Sequence, residues 1–464
     1  MSDAGRLLSG DELIARLREE GTRRYHDQHP FHQLMHAGKL TRDDLATWTL
    51  NRYYYQTRIP IKDAVILSKS DDPAFRRDPV PWYRALREHA PVHHHPEVGY
   101  LISRHADVDA LLRDDRFGVA TPSPWREVIA QGAPPSMRML SENMLLFVDP
   151  PQHTRIRGLV SQAFTPRRVE ALRPRLTEMI DAMLDRLAAA PTFDVIDAVA
   201  GPFPIMAISE LLDLPPGEAP RLREWTLAMT APDEIPMNFE SLPEAGRAAD
   251  EFLAFADALV DHRRAHPGDD LISAFIAAED GGEQLTHDEL LGLIVLLLVA
   301  GHETTMSLVS TALLLLLQRP DVAAEVRDDP TVAPAVVEET LRFMGPLQVA
   351  SGGGRWPYEP VTMHDHTMQP GERVRLLLGA ANRDERVFTE PDAFDLHRNN
   401  SRHVAFGKGL HFCVGAALGR LEGQVVIPAV LRRFPDLALV DETPNWRPGF
   451  VTRQLASLPV STSR

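Results

Sequence analysis

Residues 406–415 read Phe406-Gly407-Lys408-Gly409-Leu410-His411-Phe412-Cys413-Val414-Gly415, and they contain the chain's single cysteine. Glycines at 407, 409 and 415 permit left-handed backbone and close approach around one sulfur. A lone cysteine is ordinarily a small buried hydrophobe. One set among glycines at this density belongs to a loop shaped to present a thiolate. With one cysteine, an internal disulfide and an iron–sulfur cluster held by four thiolates of this chain are both excluded. Electrons, if the chemistry uses them, must come from another protein.

The 464 residues are 44% hydrophobic and 25% charged, a globular composition long enough for two or three domains or one large fold with an appendage. The formal net charge of −16 opposes broad binding to phosphate backbones or anionic lipid, so nucleic acid is not an expected partner. The opening stretch MSDAGRLLSGDELIARLREE lacks the basic start and apolar core of a signal peptide. The most apolar run, Leu290 to Ala300, soon meets His302 and Glu303 and is too short to span a bilayer. The expected location is cytoplasmic, without a membrane. Charge is unevenly spread: residues 1–77 carry 13 Lys/Arg against 11 Asp/Glu, so the acidic excess lies beyond them. The boundary DDPAFRRDPVPWY is dense in Pro and Asp, which predicts a linker around residues 70–80.

Beyond that boundary the pattern is mainly α, with short strand signals at Val98–Ile102 and Arg373–Leu378. The longest predicted helix starts at Thr286, whose hydroxyl can cap it while Glu289 reaches back, and ends before Arg319-Pro320. At 1.5 Å per residue it is about 45 Å long, enough to cross a domain. Its middle reads Ala300-Gly301-His302-Glu303-Thr304-Thr305. A threonine there can bond its hydroxyl to the Ala300 carbonyl, distort the ladder and open a groove. His302 reads as packing or surface. Further on, Glu339-Thr340-Leu341-Arg342 sets a carboxylate and a guanidinium on one helix face.

These motifs together resemble the cytochrome P450 family of haem-thiolate monooxygenases. The 406–415 loop matches that family's F-x-x-G-x-x-x-C-x-G at every fixed position, residues 300–304 match A-G-x-[DE]-T, and residues 339–342 match E-x-x-R. Ala163-Phe164-Thr165-Pro166-Arg167-Arg168 and Ala381-Asn382-Arg383-Asp384 add likeness to soluble bacterial members. The resemblance covers residues 78–464. It implies a helix-rich prism with small β-sheets, and haem b (iron protoporphyrin IX) lying between the long helix and the loop from Phe406 to Gly415. Cys413 would be the axial ligand, its thiolate favouring O–O cleavage, with loop amides donating to the sulfur. Ala300 and Gly301 would face the haem on the oxygen side, and Glu303 with Thr304 would relay protons to dioxygen. Glu339 and Arg342 would form a buried structural pair. His153, Arg157, Arg355 and His411 would hold the propionates, although Ser351-Gly352-Gly353-Gly354 before Arg355 departs from the usual pattern. The implied activity inserts one oxygen atom of O2 into a medium-sized hydrophobic molecule, with electrons from ferredoxin and ferredoxin reductase. Leu296, Val299, Ala300, Leu347 and Val349 would line the pocket, and Arg402, Lys408 and Arg420 would dock an acidic ferredoxin.

The first 77 residues are different. His29-Pro30-Phe31-His32 and the stretch from Asn51-Arg52-Tyr53 to Lys62-Asp63 are similar to the opening helices of pyrroloquinoline quinone biosynthesis protein C, a cofactorless oxidase. That resemblance implies that Tyr25, His26, Arg52, Tyr55, Gln56 and Lys62 match positions gripping an anionic quinone precursor. The later helices bearing that family's catalytic residues are absent, so oxidase activity is not expected. His26, His29, His32 and His36 follow helical spacing without a carboxylate partner and are not read as a metal site. Helices starting at Ser9 or Asp11, near His29 and at Thr41 would give a marginal core, which predicts packing on a larger body or on a second copy as a homodimer. The alternative function is a quinone-precursor binding or regulatory module carrying a vestigial haem domain.

Overall fold

The computed structural model describes residues 73–95, 98–122, 133–215, 217–233, 239–268, 270–280 and 285–462. The helices, the precursor-gripping residues and the homodimer expected for the N-terminal segment lie outside them.

The stretch read as a linker is helical from its first described residue. Helix α1 spans Pro73–Arg77 and α2 spans Val80–His89. Proline is tolerated here because it occupies helix starts, where no intrahelical N–H is required: Pro73 opens α1, and Pro79 and Pro81 sit at the cap and first turn of α2. Phe75 is 5% exposed and packs edge-on against Trp82 and Tyr83 and beside Phe450. The body that holds the site therefore includes residues ahead of the expected boundary at 78.

Two strands follow, β1 (Val92–His95) and β2 (Gly99–Ile102), paired antiparallel with Val92 opposite Ile102. A third strand, β3 (Val374–Leu376), lies parallel to β2 with Tyr100 opposite Val374. Both strand signals read from the sequence thus fall in one sheet. Leu378 is the exception, because it opens a short helix to Ala381.

The rest of the body is built around the long helix α4 (His287–Leu317). Its start is a capping box: the Thr286 hydroxyl accepts the Glu289 N–H at 3.2 Å and the Glu289 carboxylate accepts the Thr286 N–H at 2.9 Å. The same carboxylate takes Arg155 Nη2 at 2.6 Å and Gln152 Nε2 at 2.9 Å from helix α3 (Gln152–Ala163). One cap thereby fixes the relation between α4 and the helix bearing His153 and Arg157. By length and apolarity α4 could cross a membrane, but 78% of its most apolar window is buried inside the protein. It is a core helix.

Helix α5 (Ala333–Met344) carries the E-x-x-R pair, and helix α6 (Ala416–Arg433) leaves the cysteine loop. Arg342 grips Glu339 through two bonds of 2.7 Å, and neither side chain is exposed. The guanidinium also donates to the carbonyls of Asn382, Pro391 and Ala393, while the carboxylate accepts the Asp395 N–H at 2.8 Å and Arg398 Nε at 3.4 Å. The pair therefore nails residues 382–398 onto α5. Glu339→Gln would leave that guanidinium buried without its counter-charge, an expected loss of about 3–5 kcal/mol. Chemical denaturation measures it, and a loss of about 1 kcal/mol or less, the size for an exposed pair, would contradict the assignment.

Candidate active site

The cysteine loop is closed by its own backbone. Gly407 N–H donates to Val404 O, Phe412 N–H to Gly409 O and Cys413 N–H to Phe406 O at 2.9 Å. Gly407 and Gly409 sit at φ of 68° and 65°, and a Cβ on Gly409 would lie 2.4 Å from the Leu112 carbonyl oxygen. Only glycine allows that approach. Burial pushes the Cys413 thiol up, while the Gly415 N–H donated to the sulfur and the fields of Arg157 and Arg420 pull it down.

Beside the loop, His153, Arg157, Arg355 and His411 converge. His153 is fully buried and neither ring nitrogen has a hydrogen-bond partner. Its ring centroid is 4.2 Å from that of His411, whose Nε2 is buried, also without a hydrogen bond, and 3.9 Å from Asp149 Oδ1. Burial, then His411 and Arg157, push the His153 pKa down to about 4. Arg157 donates to the Phe412 carbonyl at 2.6 Å. Arg355 is 7% exposed, and burial lowers its pKa to about 10. The glycines before Arg355 form a turn, with φ of 88°, 76° and 123° at 352–354, and Arg355 Nη1 closes it by donating to the Ser351 and Gly354 carbonyls. The departure from the family's usual pattern thus still delivers Arg355 to the cluster.

One carboxylate, Asp149, faces these groups. It accepts the N–H groups of Val119 and Ala120 at 2.9 and 2.8 Å, which with His411 and Tyr358 hold it well below the usual carboxylate range despite burial. Among the described residues the cluster therefore carries two imidazoles with unsatisfied buried nitrogens and two guanidiniums against one carboxylate. Such a set calls for further anionic acceptors. The two propionates of haem b answer it, with the Cys413 sulfur alongside for the iron, so the residues present fit that group.

The long helix supplies the other wall. Its residues are buried from Glu289 to Leu298 and again from Thr305 to Leu316, but Val299, Gly301 and Thr304 are only half-buried and Ala300 is exposed. A Cβ on Gly301 would meet nothing nearer than Ile208 Cδ1 at 3.9 Å. This window in a buried helix is lined by small side chains. Thr304 Oγ1 donates to Ala300 O at 2.7 Å, as expected, yet the helix runs through this point without interruption. The Ala300 carbonyl thus accepts this hydroxyl within a continuous helix.

Glu303, one residue earlier, has its carboxylate bonded to side chains of other elements. Its Oε1 accepts the Thr230 hydroxyl at 3.1 Å and its Oε2 accepts Gln454 Nε2 at 3.3 Å. The acid and the alcohol are neighbours in sequence, but a step of about 100° around the helix aims them at different partners. His302 is packing: it is 1% exposed, and burial drives its pKa down to about 4.

The expected docking patch is also altered. Arg420 donates to Glu338 at 2.6 and 3.0 Å and lies 4.5 Å over the Phe406 ring, whereas Arg402 is exposed. Sequence reasoning missed Asp149, Arg398 and Glu338. Asp149 stands just ahead of two prolines and the helix that bears His153, and that place was the available signal; Arg398 and Glu338 carry none.

Residues 237–452 match the cytochrome P450 family profile, and residues 14–80 match that of the TENA/THI-4/PQQC family. Cytochrome P450 107B1 of Saccharopolyspora erythraea is 40% identical over 400 residues, covering 84% of this chain and 96% of that protein. Cytochrome P450 monooxygenase PikC of Streptomyces venezuelae is 39% identical, covering 84% and 92%. Among solved structures, P450BioI in complex with an acyl carrier protein ligated with hexadec-9Z-enoic acid aligns with a TM-score of 0.78 at 34% identity, over 84% of this chain and 99% of that one. With a helix-rich body that superposes on these proteins and a cysteine loop flanked by donors for a dicarboxylate, the chain belongs to the cytochrome P450 family and is a haem b-dependent monooxygenase.

Proposed function

We propose that the enzyme inserts one atom of dioxygen into a C–H bond or alkene of a medium-sized hydrophobic molecule, and that the Cys413 thiolate would hold the iron of its haem. The observation that carries this reading is the glycine-closed loop around Cys413 beside buried imidazole nitrogens that lack hydrogen-bond partners. Haem, when bound, supplies the reductive activation of dioxygen. His153, His411, Arg157 and Arg355 would hold its propionates, and Phe406 and Gly415 would shape the loop beneath it.

The chain's own residues then provide position and protons. Ala300 and Gly301 leave room on the accessible face of the long helix. Thr304 keeps an exchangeable hydroxyl proton there, held by Ala300 O. Glu303 is the acid nearest in sequence, and because its carboxylate is bonded to Thr230 and Gln454, it reaches Thr304 through water or by turning its side chain. Val299 joins the accessible wall, with Leu296, 8% exposed, one turn earlier on the same helix, whereas Val349 packs in a separate core cluster with Phe75, Tyr83 and Phe450. Apolar walls favour an apolar substrate. The acyl chain in the P450BioI structure is a molecule of that size class.

We further propose a cytoplasmic ferredoxin, reduced by its reductase, as electron donor. Support comes from the lone cysteine, which leaves no room for an internal cluster, and from Arg402 and Lys408 near the loop.

The reduced, carbon monoxide-treated protein is expected to show the strongly red-shifted Soret band of thiolate ligation, and Cys413→Ser to abolish it; an unchanged band in the variant would refute the ligand assignment. Thr304→Ala is expected to lower product formed per dioxygen consumed by about tenfold or more, the low end for a lost proton donor being about 10²-fold, with hydrogen peroxide released instead; unaltered coupling would remove Thr304 from the relay. Arg402→Glu with Lys408→Glu is expected to slow reduction by ferredoxin and flatten its dependence on salt while substrate binding is retained. Stopped-flow reduction measures this, and unchanged rates would dismiss the patch.

A further inference from the structure

Glu338 and Glu339 are adjacent on α5 and face different parts of the protein. Glu339 holds residues 382–398, as described above. Glu338 turns to the cysteine loop and to α6. Its Oε1 accepts Arg420 Nε at 2.6 Å, and its Oε2 accepts Arg420 Nη2 at 3.0 Å and His403 Nε2 at 2.8 Å. The His403 tautomer follows from its other nitrogen: Nδ1 accepts the Ala405 N–H at 3.2 Å, so Nε2 carries the proton and donates. His403 is 4% exposed at its side chain, against 27% for Glu338 and 32% for Arg420.

The chain of contacts leads to the sulfur. The Arg420 guanidinium lies 4.5 Å over the Phe406 ring, and the Phe406 carbonyl accepts the Cys413 N–H at 2.9 Å. The field of Arg420 also reaches the Cys413 sulfur directly. Nothing in the monooxygenase reading uses Glu338, yet it determines where this cation stands and how much of its charge is felt.

We infer that Glu338 is a positioning residue that, through Arg420, sets the electrostatic potential at the Cys413 sulfur and so the reduction potential of the iron. The inference rests on Cys413 being the iron ligand. A cation near the sulfur stabilises negative charge there, weakens donation to the iron and favours the reduced state. A carboxylate in two-point contact with that cation cancels much of its field at a distance. Removing the carboxylate unmasks the cation, and removing the cation unmasks the carboxylate. The two changes must therefore act with opposite sign.

Redox titration of the holoenzyme tests this with wild type, Glu338→Gln, Arg420→Gln and the double variant. The expected result is a midpoint shift to more positive values for Glu338→Gln, to more negative values for Arg420→Gln, and a double variant lying between the two, near wild type. A purely structural role would loosen the loop in both single variants and move them the same way. Shifts of one sign, or no shift in either, with the thiolate-type carbon monoxide band intact, would overturn the inference. If the wild-type protein lacks that band, the Cys413 assignment itself fails and takes this inference with it. Should Glu338→Gln take up no haem, Arg420→Gln decides alone: a negative shift supports the inference, and a positive or null one overturns it.

Discussion

A charge taken out of water must find its opposite and its full set of hydrogen bonds, and in this protein that requirement is met on one helix. Glu339 and Arg342 are both wholly buried, joined by two short bonds, and every remaining donor or acceptor reaches the 382–398 segment. Such a pair contributes little net energy compared with apolar packing, but losing half of it is costly. That asymmetry makes it a lock. It fixes the segment that leads into the cysteine loop, and next to it Glu338 does the same for the loop's far side through Arg420 and His403. The position of the sulfur is inherited from these two carboxylates.

The second constraint is electrostatic and points the other way. Around Asp149 the protein gathers His153, His411, Arg157 and Arg355 and leaves both His153 ring nitrogens and one from His411 without partners. This is an arrangement completed by an anion, and haem brings two carboxylates. The protein thus stores unsatisfied donors at one edge of the cofactor's place and an accessible run of small residues, Ala300 and Gly301, on the long helix. Binding and reaction are assigned to different walls. The Glu289 cap joins them, since it bonds both the start of the long helix and the helix that carries His153 and Arg157.

Local signals reached far because the chemistry here is encoded in short spacings. The capping box at Thr286, the back-bond from Thr304, the buried E-x-x-R pair and the glycine-shaped cysteine loop all depend on residues within ten positions of each other, and each is found as read. The composition that predicts a linker here is compatible with the helices found from residue 73 for a local reason too: at a helix start the missing N–H of proline costs nothing. Direction is not legible in the same way: where the Glu303 carboxylate points depends on Thr230 and Gln454, which lie 73 and 151 residues away in sequence.

By itself, then, the sequence determined the family, the helix-rich architecture, the one thiol in the chain and the residue types around it, because these follow from motifs whose parts are close along the chain. Tertiary structure alone decided which charges neutralise which. Arg420 pairs with Glu338, Arg398 joins Glu339, and Asp149 is, among the described residues, the carboxylate that meets His411. Coulomb and hydrogen-bond energies depend on distances of a few ångströms and on burial, and neither quantity is set by separation along the chain.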